Sequence, residues 1–198
     1  MYAGLGRVGE SIPELKRAVE RMPYSAVMRN DLAITLAMAG RETEGKVEMA
    51  RSLELDSAFT YGRMNYAVFV GRAGKTDSAV ALPTSIEPST PASLKLFLQS
   101  LRILVLMDGG RKAEAMALYK RLHDAITPAT STPYVMIYLH GAARNADSTL
   151  FWVNKGIDTK SGAIFVQSLP CNPFLQFLEP DPRFHAALAR MGVQRCRR

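Results

Sequence analysis

Cysteine is nearly missing from this chain: two in 198 residues, Cys171 and Cys196. So low a count, with the second near the C-terminal end, does not indicate a disulfide framework and makes a reducing cytoplasm the default setting. Long apolar runs are missing too. The longest, Ile103 to Met107, is far too short to span a bilayer. Met1 is followed directly by Tyr-Ala-Gly-Leu-Gly, without the basic start and apolar core of a secretory leader. Aromatics are sparse, at 8%, whereas a nucleic-acid footprint interleaves them with a coherent basic stripe. The net charge is +7, but Arg190, Arg195, Arg197 and Arg198 fall in the last nine residues, which contain no acid. Elsewhere acids and bases alternate, as from Arg41 to Glu48, the mixture of a solvated helix face. Neither a nucleic acid nor a membrane is expected as a partner.

What the chain does have is a turn that returns. Gly6-Arg7, Gly40-Arg41, Gly74-Lys75 and Gly110-Arg111 each follow an apolar run and precede a polar, acid-containing one. The steps between these glycines are 34, 34 and 36 residues, and one more step of 34 reaches Arg144. Glycine accepts the left-handed conformation that lets one helix stop and an antiparallel partner start. Five residues past each glycine stand Ser11, Gly45, Ala79 and Ala115, small enough for two helices to approach closely, with Thr149 in the last unit. Helical spacing predicts helices over 10–22, 25–39, 42–55, 58–73 and 76–86, with Pro83 kinking or shortening the last of these. A fourth unit follows over about 92–125, its two extra residues near Asp108-Gly109-Gly110, and then a last pair, Tyr134 to Ala143 and Ser148 to Ile157. A helix–turn–helix unit repeating every 34 residues resembles the tetratricopeptide (TPR) repeat. The expected fold is therefore all-α: a TPR α-solenoid of four to five units in a right-handed superhelix over 1–160. Its first unit is truncated. Such an open unit leaves an apolar edge near Leu5, Ile12 and Leu15, which a second copy or another subunit could cover.

Residues 161–198 differ. Ala163 to Ser168 reads as a short helix stopped by Pro170-Cys171-Asn172-Pro173. Asp181-Pro182 then starts another helix, with Asp as N-cap and Pro at the first helical position. Phe184, Leu188 and Met191 share one face, suited to cap the array near Phe151 or Val153, with Arg183 and Arg190 in solvent. Pro173-Phe174, Leu178, Asp181-Pro182-Arg183-Phe184 and Ala187 to Val193 resemble an ending found where a TPR array closes a larger bacterial signalling protein. The stretch Ala142 to Gly156 resembles the last repeat of that layout, while Glu179 departs from it. The resemblance implies a tail module behind a separate output domain such as a transcription regulator, cyclase or kinase.

Motifs for chemistry fail on their context. Gly4-Leu5-Gly6-Arg7-Val8-Gly9 matches a dinucleotide fingerprint, but only three residues precede it, where a strand is required. Phe69 stands where a phosphate-binding loop ending in Gly74-Lys75-Thr76 needs its first glycine. His123, His140 and His185 lie far apart, without ligand-spaced Cys, Asp or Glu. No catalytic residue, cofactor or metal is expected. The concave groove of a TPR array, lined by the first helix of each unit, is then the candidate site. By repeat frame the second unit offers Val27, Asn30, Ile34 and Met38, and the third Tyr61, Met64, Val68 and Arg72. The last unit offers Tyr134 and Tyr138, while the insertion leaves the fourth ambiguous. Asn65 fits one asparagine place of the carboxylate clamp known in chaperone-binding TPRs, but Ile34 fills the other. The function expected is a non-catalytic interaction module binding a protein or peptide. The alternative is a small-molecule-sensing or enzyme-associated solenoid, which a closed pocket of convergent polar groups would favour.

Overall fold

A computed structural model describes residues 7–86, 92–127, 131–160 and 169–193. The turn at Gly6 and the apolar Leu5, the connection over 87–91, the short helix over 163–168 and the arginine tail lie outside the described residues. Those described form ten α-helices: α1 (Val8–Arg21), α2 (Ala26–Met38), α3 (Glu42–Leu55), α4 (Thr60–Arg72), α5 (Thr76–Ile86), α6 (Ala92–Asp108), α7 (Lys112–Asp124), α8 (Pro133–Ala142), α9 (Ala146–Asp158) and α10 (Pro182–Arg190). Two 3-10 helices, η1 (Leu169–Cys171) and η2 (Pro173–Leu178), stand between α9 and α10. No strand occurs among the described residues. None of their helices is long and apolar enough to cross a membrane.

The returning turn has one geometry. Gly40, Gly74 and Gly110 adopt φ of +77°, +79° and +78°. In each, the glycine N–H donates three residues back and the next N–H five residues back, as in Gly40 to Ala37 and Arg41 to Leu36. This is the Schellman closure of a helix, in which the left-handed residue aims two N–H groups at otherwise orphaned carbonyls. Arg144 makes the same two-bond closure with φ of +55°, a non-glycine residue held where a side chain is strained. Helix starts follow sequence equally closely. Ser25, Thr132, Asn145 and Asp181 each accept a backbone N–H from the first helical turn, which removes one of the donors a helix start leaves unpaired.

Packing uses the small position. Ser11, Gly45, Ala79, Ala115 and Thr149 are all buried. Thr149 fits because its hydroxyl donates to the Asn145 carbonyl of its own helix, so no polar group is stranded. At Gly45 a Cβ would stand 2.7 Å from the Ala33 carbonyl oxygen. The helices pair as α2 with α3, α4 with α5, α6 with α7 and α8 with α9, and α2, α4, α6 and α8 also touch in succession. The result is a repeat-like row of helix pairs, with those four helices side by side. Polar bonds carry the same period, Arg111 to Asp77, Arg144 to Asp108 and Arg183 to Asp147 each spanning 34 or 36 residues. α5 runs for 11 residues against 14 for α3, and buried Pro83 lies inside it, three residues from its end.

Several expectations need correction. Ile12 is not an exposed edge but is 6% exposed, packed with Leu32 and Leu36, and Leu15 is half-buried against the same cluster. The α1 face turns inward because α2 lies across it. From Leu169 on, the segment that had no assigned structure forms η1 and η2, with Leu169, Cys171, Phe174, Leu175 and Leu178 buried. Cys171 is disulfide-bonded; Cys196, the other cysteine of the sequence, lies outside the described residues. Phe184 and Leu188 are buried in one cluster with Leu150 and Val153, whereas Phe151 stays 61% exposed and takes no part. Arg183 and Arg190 are solvent-exposed as expected, yet Arg183 pairs with Asp147 and Asp181, and Arg190 with Asp158.

Candidate functional site

The row α2–α4–α6–α8 presents two different surfaces. At the α2–α4 end, Val27 and Tyr61 are 46% and 48% exposed. Beside them Asn65 Nδ2 donates to Asn30 Oδ1 at 3.0 Å, and Asn30 Nδ2 donates to Asp31 Oδ1 at 3.2 Å. Burial pushes the Asp31 carboxyl up, an effect its bond from Asn30 opposes. Asn30 itself is 4% exposed, so the bonded chain ties α2 to α4 with its middle buried and its Asn65 and Asp31 ends half-buried. Met64, 1% exposed, is a packing residue.

Further along, Ile34, Met38, Asn65, Val68 and Arg72 line a cleft together with Glu42, Pro173 and Gln176. It has room for about 50 Å³ of water-sized space. Arg72 bridges its rim, donating to Glu42 Oε1 at 3.0 Å and to Gln176 Oε1 at 3.4 Å. The second contact joins residues 104 positions apart and brings η2 onto the helix row.

At the α6–α8 end the surface is covered. Phe174 of η2 meets Tyr138 edge-on, with ring centroids 4.9 Å apart, and lies 5.9 Å from Phe97. Tyr134 stacks on Phe97 and meets Tyr138 at 4.9 Å. Asn172 Nδ2 donates to the Tyr138 hydroxyl at 3.1 Å, and burial pushes both the Tyr134 and Tyr138 phenols up. Gly141 makes the close approach possible: a Cβ on it would stand 2.9 Å from the Phe174 carbonyl oxygen.

The structure thus brings Asn30, Ile34, Met38, Tyr61 and Arg72 to one end of the row and Tyr134 and Tyr138 to the other, with Met64 beneath. Sequence reasoning missed Phe97, Pro173 and Gln176. Phe97 was legible, because thirteen residues before Gly74 and before Gly110 alike stand Tyr61 and Phe97. Counting back from the turn absorbs the two-residue insertion. Pro173 and Gln176 lie beyond the last unit read in the sequence, and no turn residue marked a further one.

Away from this row, the Tyr119 hydroxyl lies 2.9 Å from His140 Nδ1, and the His123 ring 5.7 Å from that of His140. Burial, and then the charge on His123, push the His140 imidazole down to about 4. Among the described residues no three His, Cys, Asp or Glu side chains group as a metal site. No protein-family model matches the chain, and no curated protein matches it.

Proposed function

We propose that the chain is a TPR α-solenoid acting as a non-catalytic protein-interaction module, taking a peptide segment of a partner along α2 and α4. One observation carries the reading: two large apolar side chains, Val27 and Tyr61, are held half-exposed on adjacent helices of one row beside the Asn65 amide. An aromatic fixed by packing contributes contact area at little entropic cost, and a neighbouring amide can bond an extended backbone. The alternative of a small-molecule sensor fits this face less well, because the cleft beside Arg72 has about 50 Å³ of room, far below the roughly 300–1,000 Å³ of ordinary ligand pockets. The resemblance of the C-terminal stretch supports a place at the end of a larger bacterial regulator, with its chemistry in another domain.

Selection from a displayed peptide library tests the reading. Enriched peptides should bind the full chain with an affinity that Tyr61→Ala and Asn65→Ala each weaken roughly tenfold or more, the scale of an interface anchor. Met116→Ala, on exposed α7, should leave it unchanged. Absence of enrichment over a scrambled library, or equal loss in all three variants, counts against the α2–α4 face.

A further inference from the structure

We infer that the pocket walled by Phe97, Tyr138 and Gly141 is a binding site for an Asn-Pro-Phe-Leu turn, which the chain fills in cis with its own residues 172–175. The fit is specific at each position. Asn172 works in two directions: its Oδ1 accepts the Phe174 N–H at 3.0 Å, closing the turn, while its Nδ2 donates to Tyr138. Pro173 has the fixed φ that such a turn requires at that place. Phe174 inserts among the rings of Tyr138 and Phe97. Leu175, 1% exposed, sits against Gly141, where a Cβ would meet its Cδ2 at 3.1 Å.

Two further observations make this segment an occupant of the row. The row does not depend on it, since α4 touches α6 and α6 touches α8 directly. The packing beside it is also incomplete. One cleft separates Pro173 and Gln176 from α2 and α4, and a second, between Phe177 and Arg144, has room for about 270 Å³ of water-sized space. The long 3.4 Å contact from Arg72 to Gln176 is the bond that crosses the first of them. A partner carrying the same Asn-Pro-Phe-Leu turn would compete for the pocket, as would residues 172–175 of a second copy. Phe97, Tyr138 and Gly141 belong to α6 and α8, and although Pro173 and Gln176 share a cleft with Asn65 and Arg72, Tyr61→Ala and Asn65→Ala leave the walls of this pocket intact, so the two experiments can fail separately.

Complementation tests it. A fluorescent peptide spanning Asn172 to Glu179 is titrated against the full chain carrying Phe174→Ala, whose own turn has lost its anchor. The variant should bind saturably and the wild-type chain at least tenfold more weakly. Adding Gly141→Ala to Phe174→Ala should abolish binding, because the new methyl fills the space of the Phe174 carbonyl. A peptide with alanine in place of its asparagine should not bind. Equal binding to wild type and Phe174→Ala, or none to a folded Phe174→Ala chain, overturns the inference. If Phe174→Ala does not fold, Gly141→Ala alone decides by hydrogen exchange. Residues 172–178 should lose protection while α4 and α6 keep theirs, and joint loss overturns it. Size-exclusion chromatography separates exchange between copies, which raises the mass, from capture of the peptide by a monomer.

Discussion

Replacing Gly45 by alanine should destabilise the protein although alanine is the better helix former. Inside a helix the exchange alone is worth up to about 1 kcal/mol in favour of alanine. At Gly45 the new methyl would stand 2.7 Å from the backbone oxygen of Ala33 and 3.2 and 3.3 Å from the Phe69 ring. Phe69 can give slightly, but the oxygen belongs to α2 and cannot move without the helix. α2 and α3 must therefore separate, and overpacking of this kind costs about 1–3 kcal/mol. The net loss is about 1 kcal/mol. Gly9 supplies the control, since a Cβ there would meet nothing within 4 Å. Gly9→Ala should gain up to about 1 kcal/mol, so the same chemical change has opposite signs at two places. Urea unfolding followed by far-UV circular dichroism reads both. With a slope of about 2 kcal/mol per molar urea, the two midpoints should differ by about 1 M, with wild type between them. A Gly45→Ala midpoint at or above that of Gly9→Ala would refute the claim that this residue sets the helix spacing.

Other substitutions probe the closing helix, the turns and the buried histidine. Phe184, fully buried in α10, should cost about 3 kcal/mol as Phe184→Ala, and hydrogen exchange should show residues 182–193 fraying while 30–70 stay protected; joint loss would sink the repeat-wise reading. At the turns, Gly110→Ala should cost about 1 kcal/mol for its left-handed backbone, whereas Arg144→Gly should be neutral or stabilising, since relieved strain offsets an exposed pair with Asp108. Thermal unfolding showing both variants destabilised alike would contradict the strain at Arg144. His140 titrates at about 4 when folded against 6.5 when free, so the unfolded chain binds the extra proton between them. Stability from this group is full above about pH 6.5, falls as the pH drops and levels off below about 4. The Tyr119 and His123 side chains face it, and His140→Asn should flatten that window in urea titrations run across pH; an unchanged slope would remove the assignment.

Much of the fold was legible because it is made by local rules. A left-handed residue can close a helix only where a side chain is absent or tolerated, so the glycines marked the turns, and the period carried the frame to Arg144. Close helix crossings need small residues, and these recur five positions later. The candidate site was only partly legible. The frame selected α2, α4 and α8, which do lie in one row, but position on a helix does not say whether a neighbour covers it. Met64 and Tyr61 lie three residues apart in the same helix and are 1% and 48% exposed.

The sequence by itself determined where the helices begin, end and cross, because caps, turns and small residues act within a few positions along the chain. Only the tertiary structure decided which part of the row is open. The Asn172–Leu175 turn returns to α8 and α6 from beyond α9, Gln176 reaches Arg72 across 104 positions, and Cys171 turned out to be disulfide-bonded. Residues 172–176 lie beyond the last unit that a turn marks, so nothing along the chain announces where their contacts fall. Those contacts are fixed by which apolar surface the earlier helices leave uncovered, and that surface exists only once those helices have packed.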